Sequence, residues 1–355
     1  MAGEMFVIGN PLLDMVAEVP LSFLEKFSLK RGEATLAEST QKPLYGELEQ
    51  NFEVTFLPGG SGLNTARVTQ ALFQTRGAVA YRGAVGNDKH GQQLTELCEK
   101  EGVAVRFSVI PEQETGVCAV LVNEKERSLC TELGACLSFR LPEDWLALAP
   151  NARVFYAAAY ALSASPDNVL GLARHCARRP DAVFAFNLSA GFCIELYKDA
   201  MTALFPLTNI LIGNNEEYEL FARVHGLVPD DAKEVSALND TQAVEICKGA
   251  LGLLTSGAQA GARKLAVMTR GKKSVIAAEK LADGTVVVYE EETPAVPDDK
   301  LVDTNGAGDA FAGGFLYGFL RGRSVRESIA CGDFCAGNVI MHEGFAFDFS
   351  SCPFR

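Results

Sequence analysis

The sequence predicts an α/β fold, a mainly parallel sheet wound on both faces by helices, and two observations carry that expectation. Short apolar runs alternate with helix-length segments through most of the 355 residues, the pattern of parallel strands joined by crossover helices. Twice a glycine-rich turn stands where a strand gives way to a helix, at Gly59-Gly60-Ser61-Gly62 and at Gly306-Ala307-Gly308. Open α/β sheets collect ligands at such junctions.

Taken in order, Phe6-Val7-Ile8-Gly9 reads as a short buried strand and Asn10-Pro11-Leu12-Leu13-Asp14 as the loop after it, with Asp14 able to accept hydrogen bonds from ligand hydroxyls. Residues from about Val16 to Glu53 are polar and lack β-α alternation, so they read as an accessory segment that could cover a site. Phe56–Gly60 then leads into the helical pattern Thr65–Gln74, and the Gly-Gly turn exposes backbone N–H groups beside the side-chain amide of Asn64. Ala78–Gly86 reads as strand and loop, Lys89–Glu101 as an amphipathic helix ended by Gly102, and Val103–Val109 as a strand. Gly116–Asn123 and Arg127–Glu132 form a hairpin around Glu124-Lys125-Glu126, a second candidate cover piece, and it carries Arg127.

Alternation is regular from there. Strands are expected at Val154–Ala159, Val183–Leu188, Ile210–Gly213 and Leu265–Thr269, and helices at Ser165–Arg179, about Glu195–Leu204, and from Asn214 to about Val224. Ser274–Glu279 and Thr285–Glu290 form a hairpin, Ala310–Leu320 and Ser324–His342 are helical, and Pro229–Ala237 is read as a disordered linker. Asn214-x-x-Glu217 suits a hydrated Mg²⁺, which takes few protein groups, but the same pair is also ordinary helix-capping chemistry.

The most informative stretch is Leu301–Gly314. Its glycines let the backbone approach a ligand, and the free N–H groups and dipole of the following helix form a seat for an anion. Asp309 stands at that electropositive end, where an ionised carboxylate can take a proton from a hydroxyl. An N-cap aspartate in a tight turn would present the same residues. Two other nucleotide motifs fail: Gly306–Phe311 lacks the third glycine or alanine of the dinucleotide fingerprint, and Ala266 stands where a phosphate loop ending in Gly271-Lys272-Lys273-Ser274 needs its first glycine.

A net charge of −13 disfavours nucleic acid as a partner, and a 48% hydrophobic composition is that of a folded globular chain. No apolar run of about 18 residues and no signal-peptide pattern is present, so the expectation is a cytoplasmic protein with no membrane partner, and a monomer. The ten cysteines include no Cys-x-x-Cys and read as buried reduced thiols, and the four histidines lack ligand spacing.

In sequence, Asn10-Pro-Leu-Leu-Asp14, Gly59-Gly-Ser-Gly-Leu-Asn64, Arg127-Ser-Leu, Asn187-Leu-Ser, Asn214-x-x-Glu217 and Asp303-Thr-Asn-Gly-Ala-Gly-Asp309 resemble the ribokinase-like carbohydrate and nucleoside kinases, in particular the branch acting on adenosine. The similarity spans essentially the whole chain. It implies a ribokinase-like αβα sandwich (residues 1–16, 51–112 and 136–355) with a small α/β lid (17–50 and 113–135), phosphorylating the 5′-hydroxyl of adenosine with ATP and Mg²⁺. Carried onto this chain, Asp309 is the base and Gly306, Ala307 and Gly308 the anion hole, while Arg127 meets the γ-phosphate. Asn10, Asp14, Gly59, Gly60, Ser61 and Asn64 bind the nucleoside, flanked at the base by Leu36, Leu129 and Tyr160. Asn305, Thr269 and Gly271 lie along the ATP side, Asp333 to Asn338 near its base, and Asn214 with Glu217 at the Mg²⁺ through water. Gly191 and Ala161 depart from that family's pattern, where a proline and an aromatic residue are expected.

Overall fold

The structure is a computed structural model that describes residues 3–124, 126–227, 239–255 and 263–355; the expected linker at Pro229–Ala237 lies outside the described residues. Nine strands form the main sheet in the spatial order Val286–Glu291, Val275–Lys280, Lys264–Thr269, Ile210–Asn214, Val183–Asn187, Val154–Ala158, Met5–Ile8, Val79–Arg82, Ala104–Val105. The run from Lys264–Thr269 to Ala104–Val105 is parallel throughout, and the two outermost strands at the other edge add antiparallel.

Successive side chains of a strand point to opposite faces, and this explains why the central strands are apolar at every position. Met5, Val7, Val154 and Tyr156 pack under Leu63, Ala66, Phe311 and Phe315 on one face. Phe6, Ile8, Phe155, Phe184 and Phe186 meet Val169, Leu172, Cys176 and Phe221 on the other. Removing one such buried phenylalanine side chain costs about 3–5 kcal/mol.

Three helices on the first face lie unusually close. The Ala307–Leu320 helix packs against Ser61–Phe73 and Val325–Val339, and its glycines mark the contacts. A Cβ on Gly313 would stand 2.8 Å from Val68, and one on Gly314 would stand 2.5 Å from the carbonyl oxygen of Cys331. That packing holds the N-terminus of the Ala307–Leu320 helix at the carboxyl end of the parallel strands.

A second sheet orders Ala34–Leu36, Glu126–Glu132, Val117–Asn123, Leu12–Glu18 and Thr55–Gly59. The hairpin and the accessory segment expected from the sequence supply three of these strands; the other two are unexpected. Asn10–Asp14 is therefore not simply a loop: Asp14 lies inside the Leu12–Glu18 strand, opposite Leu57 and Cys118. The expected Val103–Val109 strand is also divided. Ala104–Val105 ends the main sheet, while Ser108–Ile110 pairs with Ala84–Gly86. Tyr197 breaks the expected Glu195–Leu204 helix into Gly191–Leu196 and Lys198–Leu204.

One long helix, Asp240–Leu254, was not anticipated. Its signals are in the sequence: Asn239 caps it reciprocally with Gln242, and Ala243, Ile246, Cys247, Ala250, Leu251 and Leu254 form its buried stripe. All ten cysteines are free thiols, and nine of them are buried.

Candidate active site between the two sheets

A cavity of about 480 Å³ opens between the sheets. Among the residues expected at a site, Asn10, Asp14, Leu36, Gly60, Ser61, Asn64, Arg127, Leu129, Tyr160, Asn305, Gly306 and Asp309 all line it. They come from the end of the first strand, from the second sheet with its hairpin, from the 3-10 turn Ala159–Ser163, and from two helix starts with the loop before the second.

Asp309 sits in the first turn of the Ala307–Leu320 helix. Ser61 Oγ donates to its Oδ1 at 2.6 Å and Asn64 Nδ2 to its Oδ2 at 3.1 Å, while Thr65 Oγ1 donates to its backbone oxygen at 3.2 Å. The two glycine-rich helix starts are thus tied together through one carboxylate. Part of Asp309 remains open to the cavity, but protein crowds the rest. That desolvation pushes its carboxyl up to about 6, against the lowering effect of the Ser61 and Asn64 hydrogen bonds.

Gly306 supplies the sharp entry to this helix. It has φ +78°, and a Cβ there would stand 2.4 Å from the ring of Phe345. The Ala307 amide donates to Thr304 O at 3.3 Å, so the first-turn donors that helix geometry leaves for an anion are those of Gly308 and Asp309. No atom lies within 4 Å of a Cβ placed on Gly308.

Across the cavity, Gly60 has φ +94° and a Cβ would overlap Asn10 O at 2.2 Å; Gly59 abuts the Asp14 carboxylate, 2.0 Å from a Cβ. Only this Gly-Gly pair lets Asn10 and Asp14 approach the helix start. Burial pushes Asp14 up to about 7; the Arg67 guanidinium draws it down and the Asp309 charge pushes it further up. Asn10 Nδ2 donates to Tyr160 O at 2.9 Å and Ser163 Oγ at 3.0 Å, which leaves its buried Oδ1 without a partner and available as an acceptor. Arg127 is buried on the hairpin, and its Nε pairs with Asp303 at 3.1 Å.

The expected ATP-side residues Asn214, Glu217, Thr269, Gly271, Asp333 and Asn338 lie outside this cavity wall. Asn214 and Glu217 form a reciprocal cap: Asn214 N donates to Glu217 Oε2 at 2.9 Å and Asn214 Nδ2 to Oε1 at 2.8 Å. Burial pushes Glu217 up to about 7. Thr269 lies beside Asn214 in register, and Gly271 turns the chain at φ +62°. Asp333 is buried on the Val325–Val339 helix, and desolvation pushes it up to about 7. The Asn338 amide donates to Asp348 O at 2.8 Å and accepts from Asp348 N at 2.9 Å, fastening the C-terminal segment.

Several wall residues were not singled out from the sequence: Cys118, Val120, Leu133, Phe192 and Phe345. Phe192 is half exposed and lies 5.9 Å, centroid to centroid, from Tyr160. Its position just after Asn187-Leu-Ser was the available signal. Phe345, in an aperiodic tail, gave none.

With one carboxylate in the first turn of a helix and a second, Asp14, lining the same cavity, the geometry suits transfer of an anionic group to a hydroxyl. The comparisons agree. The chain matches the model of the pfkB family carbohydrate kinases over residues 29–351. It is 35% identical to adenosine kinase 1 of Arabidopsis thaliana over 97% of this chain and 96% of the relative, and 34% identical to adenosine kinase of Saccharomyces cerevisiae over 97% and 96%. Among solved structures, adenosine kinase of Trypanosoma brucei brucei superposes with a TM-score of 0.85 at 32% identity, covering 96% of this chain and 100% of that one. Anopheles gambiae adenosine kinase in complex with P1,P4-di(adenosine-5) tetraphosphate gives a TM-score of 0.82 at 31% identity, covering 97% of each. Sequence, fold and cavity lead to one assignment: the chain belongs to the pfkB family of carbohydrate kinases.

Proposed function

We propose that the protein transfers the γ-phosphoryl group of ATP to the 5′-hydroxyl of adenosine, giving AMP and ADP. The observation that carries this reading is Asp309, held by Ser61 and Asn64 at the start of a helix inside the cavity. A carboxylate with a pKa of about 6 is ionised at neutral pH and basic enough to take a hydroxyl proton. Asp14 and the unpartnered Asn10 Oδ1 are acceptors for ribose hydroxyls. Cys118, Val120, Leu129, Leu133, Tyr160 and Phe192 give the rest of the wall an apolar, partly aromatic surface that suits a purine better than a free sugar. The relatives named above support the same substrate.

In this reading Gly308 and Asp309 donate amides to the migrating phosphoryl group and Arg127 offsets its charge, as the second sheet closes and excludes water. The residues fit Mg²⁺ only as a hydrated ion brought by the nucleotide. Among the described residues no group of three or more acidic, histidine or cysteine side chains could hold a metal, and Asn214 occupies both oxygens of Glu217. Glu217 and Asn214 would meet the ion through water, and the ion would neutralise phosphate charge. A cytoplasmic, monomeric enzyme with residues 17–50 and 113–135 as its lid belongs to the same proposal; no described helix is long and apolar enough to cross a membrane.

The test is ADP formation from ATP with adenosine, inosine, guanosine, ribose or fructose as acceptor. Adenosine should give the highest kcat/KM by at least about tenfold. A sugar outpacing it would overturn the reading. Asp309→Asn should lose about 10²–10⁴-fold in kcat with nucleoside binding nearly retained; a variant keeping over a tenth of turnover would remove Asp309 from the base role.

A further inference from the structure

Asp303 opens the Asp303–Asp309 stretch, and nothing above gives it a chemical task. Its Oδ1 accepts from the Asn305 amide at 2.9 Å, which shapes the turn. Its Oδ2 forms an ion pair with Arg127, 3.1 Å from Nε, and the two side chains are only 8% and 6% exposed. This ion pair connects the hairpin of the second sheet to the loop before the anion seat. Arg127 is not fully satisfied by it: its Nη1 is buried in the same cavity wall with no hydrogen-bond partner. A guanidinium fork is suited to a planar or tetrahedral oxyanion, and here it holds one carboxylate oxygen with part of its donor set idle.

We infer that Asp303 is a positioning residue that holds Arg127 over the anion seat until a nucleotide arrives, and that Arg127 then exchanges this carboxylate for phosphate oxygens. This deepens the function proposed above and rests on it. Three features make the exchange feasible. Asp303 lies four residues before Ala307, the first residue of the helix that would seat the phosphate, so the competing acceptors are neighbours. The buried guanidinium needs a counter-charge while the cavity is empty, which Asp303 supplies. The idle Nη1 is a donor that a phosphate could engage and that the carboxylate leaves unused. Asp303 thereby competes with the nucleotide for Arg127, and its presence lowers ATP affinity.

The experiment is a double-mutant cycle on ATP binding, measured by calorimetry without nucleoside, in the wild type, Asp303→Asn, Arg127→Met and the double variant. Asparagine at 303 can still accept from the Asn305 amide but carries no charge. The expected result is ATP binding at least about fivefold tighter in Asp303→Asn than in the wild type, and affinities within about twofold for Arg127→Met with and without the second change. Equal tightening in both backgrounds would mean that Asp303 merely repels phosphate and would overturn the exchange. Weaker binding in Asp303→Asn would also overturn it. If Asp303→Asn does not fold, Asp303→Ser, whose hydroxyl supports the same turn, takes its place under the same criteria. AMP formation by the wild type judges the proposed function separately, so either can fail alone.

Discussion

At the scale of single residues, the site concentrates carboxyls that folding has made weaker acids. Asp309 is pushed up to about 6 by burial, Asp14 to about 7 by burial and by the charge of Asp309 with Arg67 opposing, and Glu217 to about 7 by burial. Each value exceeds that of the unfolded chain, so folding favours the protonated forms. The associated stability is present below about pH 4 and is lost as pH rises through 6 to 7. In the proposed mechanism catalysis runs the other way, because Asp309 would have to be ionised to act as a base. Turnover should therefore climb through about pH 6 and level off above about pH 7.5, while the melting temperature of the empty protein falls over the same interval. Asp309→Asn should flatten that fall, since one of the titrating groups is gone. It should also shift the pH midpoint of adenosine binding downward, because Asp14 loses a neighbouring charge; an unchanged midpoint would show that the two carboxyls do not interact. Asp309 was legible in the sequence because turn, glycines and acid sit together in one short stretch. Its partners were not, since Ser61 and Asn64 approach it across 248 and 245 residues of chain.

At the scale of elements, the glycines of the Ala307–Leu320 helix divide into two kinds. Gly313, Gly314 and Gly318 permit close helix contact, with the carbonyl of Cys331 and the Cα of Ser328 standing 2.5 Å and 2.9 Å from Cβ atoms built on Gly314 and Gly318. Gly308 faces open space at the proposed anion seat. Replacing glycine by alanine in a helix normally stabilises by about 1 kcal/mol. Gly308→Ala should follow that rule or leave stability unchanged while raising the KM for ATP, because a methyl group would crowd the bound phosphate. Gly314→Ala should instead destabilise by about 1–3 kcal/mol, because its methyl would meet backbone that cannot step aside. Thermal unfolding and ATP kinetics on the two variants check both outcomes. Elements of this helical, apolar kind were readable from the sequence. Leu12–Glu18 was not, since Asn10-Pro11 suggests a loop and nothing local reveals the partner strands Thr55–Gly59 and Val117–Asn123. The Asp240–Leu254 helix was obscured by adjoining polar sequence, although its cap and stripe were present.

At the scale of the whole molecule, the cavity lies between two sheets of unequal solidity. The central strands of the main sheet are buried on both faces, whereas the Ala34–Leu36 edge strand is exposed at all three positions. It joins the second sheet beside Leu129, Cys130 and Thr131, and its Leu36 side chain, 53% exposed, stands on the cavity wall. An edge strand with so little burial opens at small free-energy cost, and a ligand that covers it removes much of that opening. Buried Arg67 explains why the opposite wall should not respond in the same way. It holds Glu101 through two hydrogen bonds of 2.6 and 2.8 Å and Pro58 O at 2.7 Å, and it stacks on Phe345 at 5.3 Å. Phe345 in turn covers Gly306, so the proposed anion seat is braced before any ligand arrives. Hydrogen exchange should accordingly show fast exchange at residues 33–37 in the empty protein and marked slowing with saturating adenosine, with amides of Met5–Ile8 and Val154–Ala158 protected in both states. Equal protection of 33–37 with and without adenosine would mean that the second sheet is already closed, and that water exclusion during transfer does not depend on its movement.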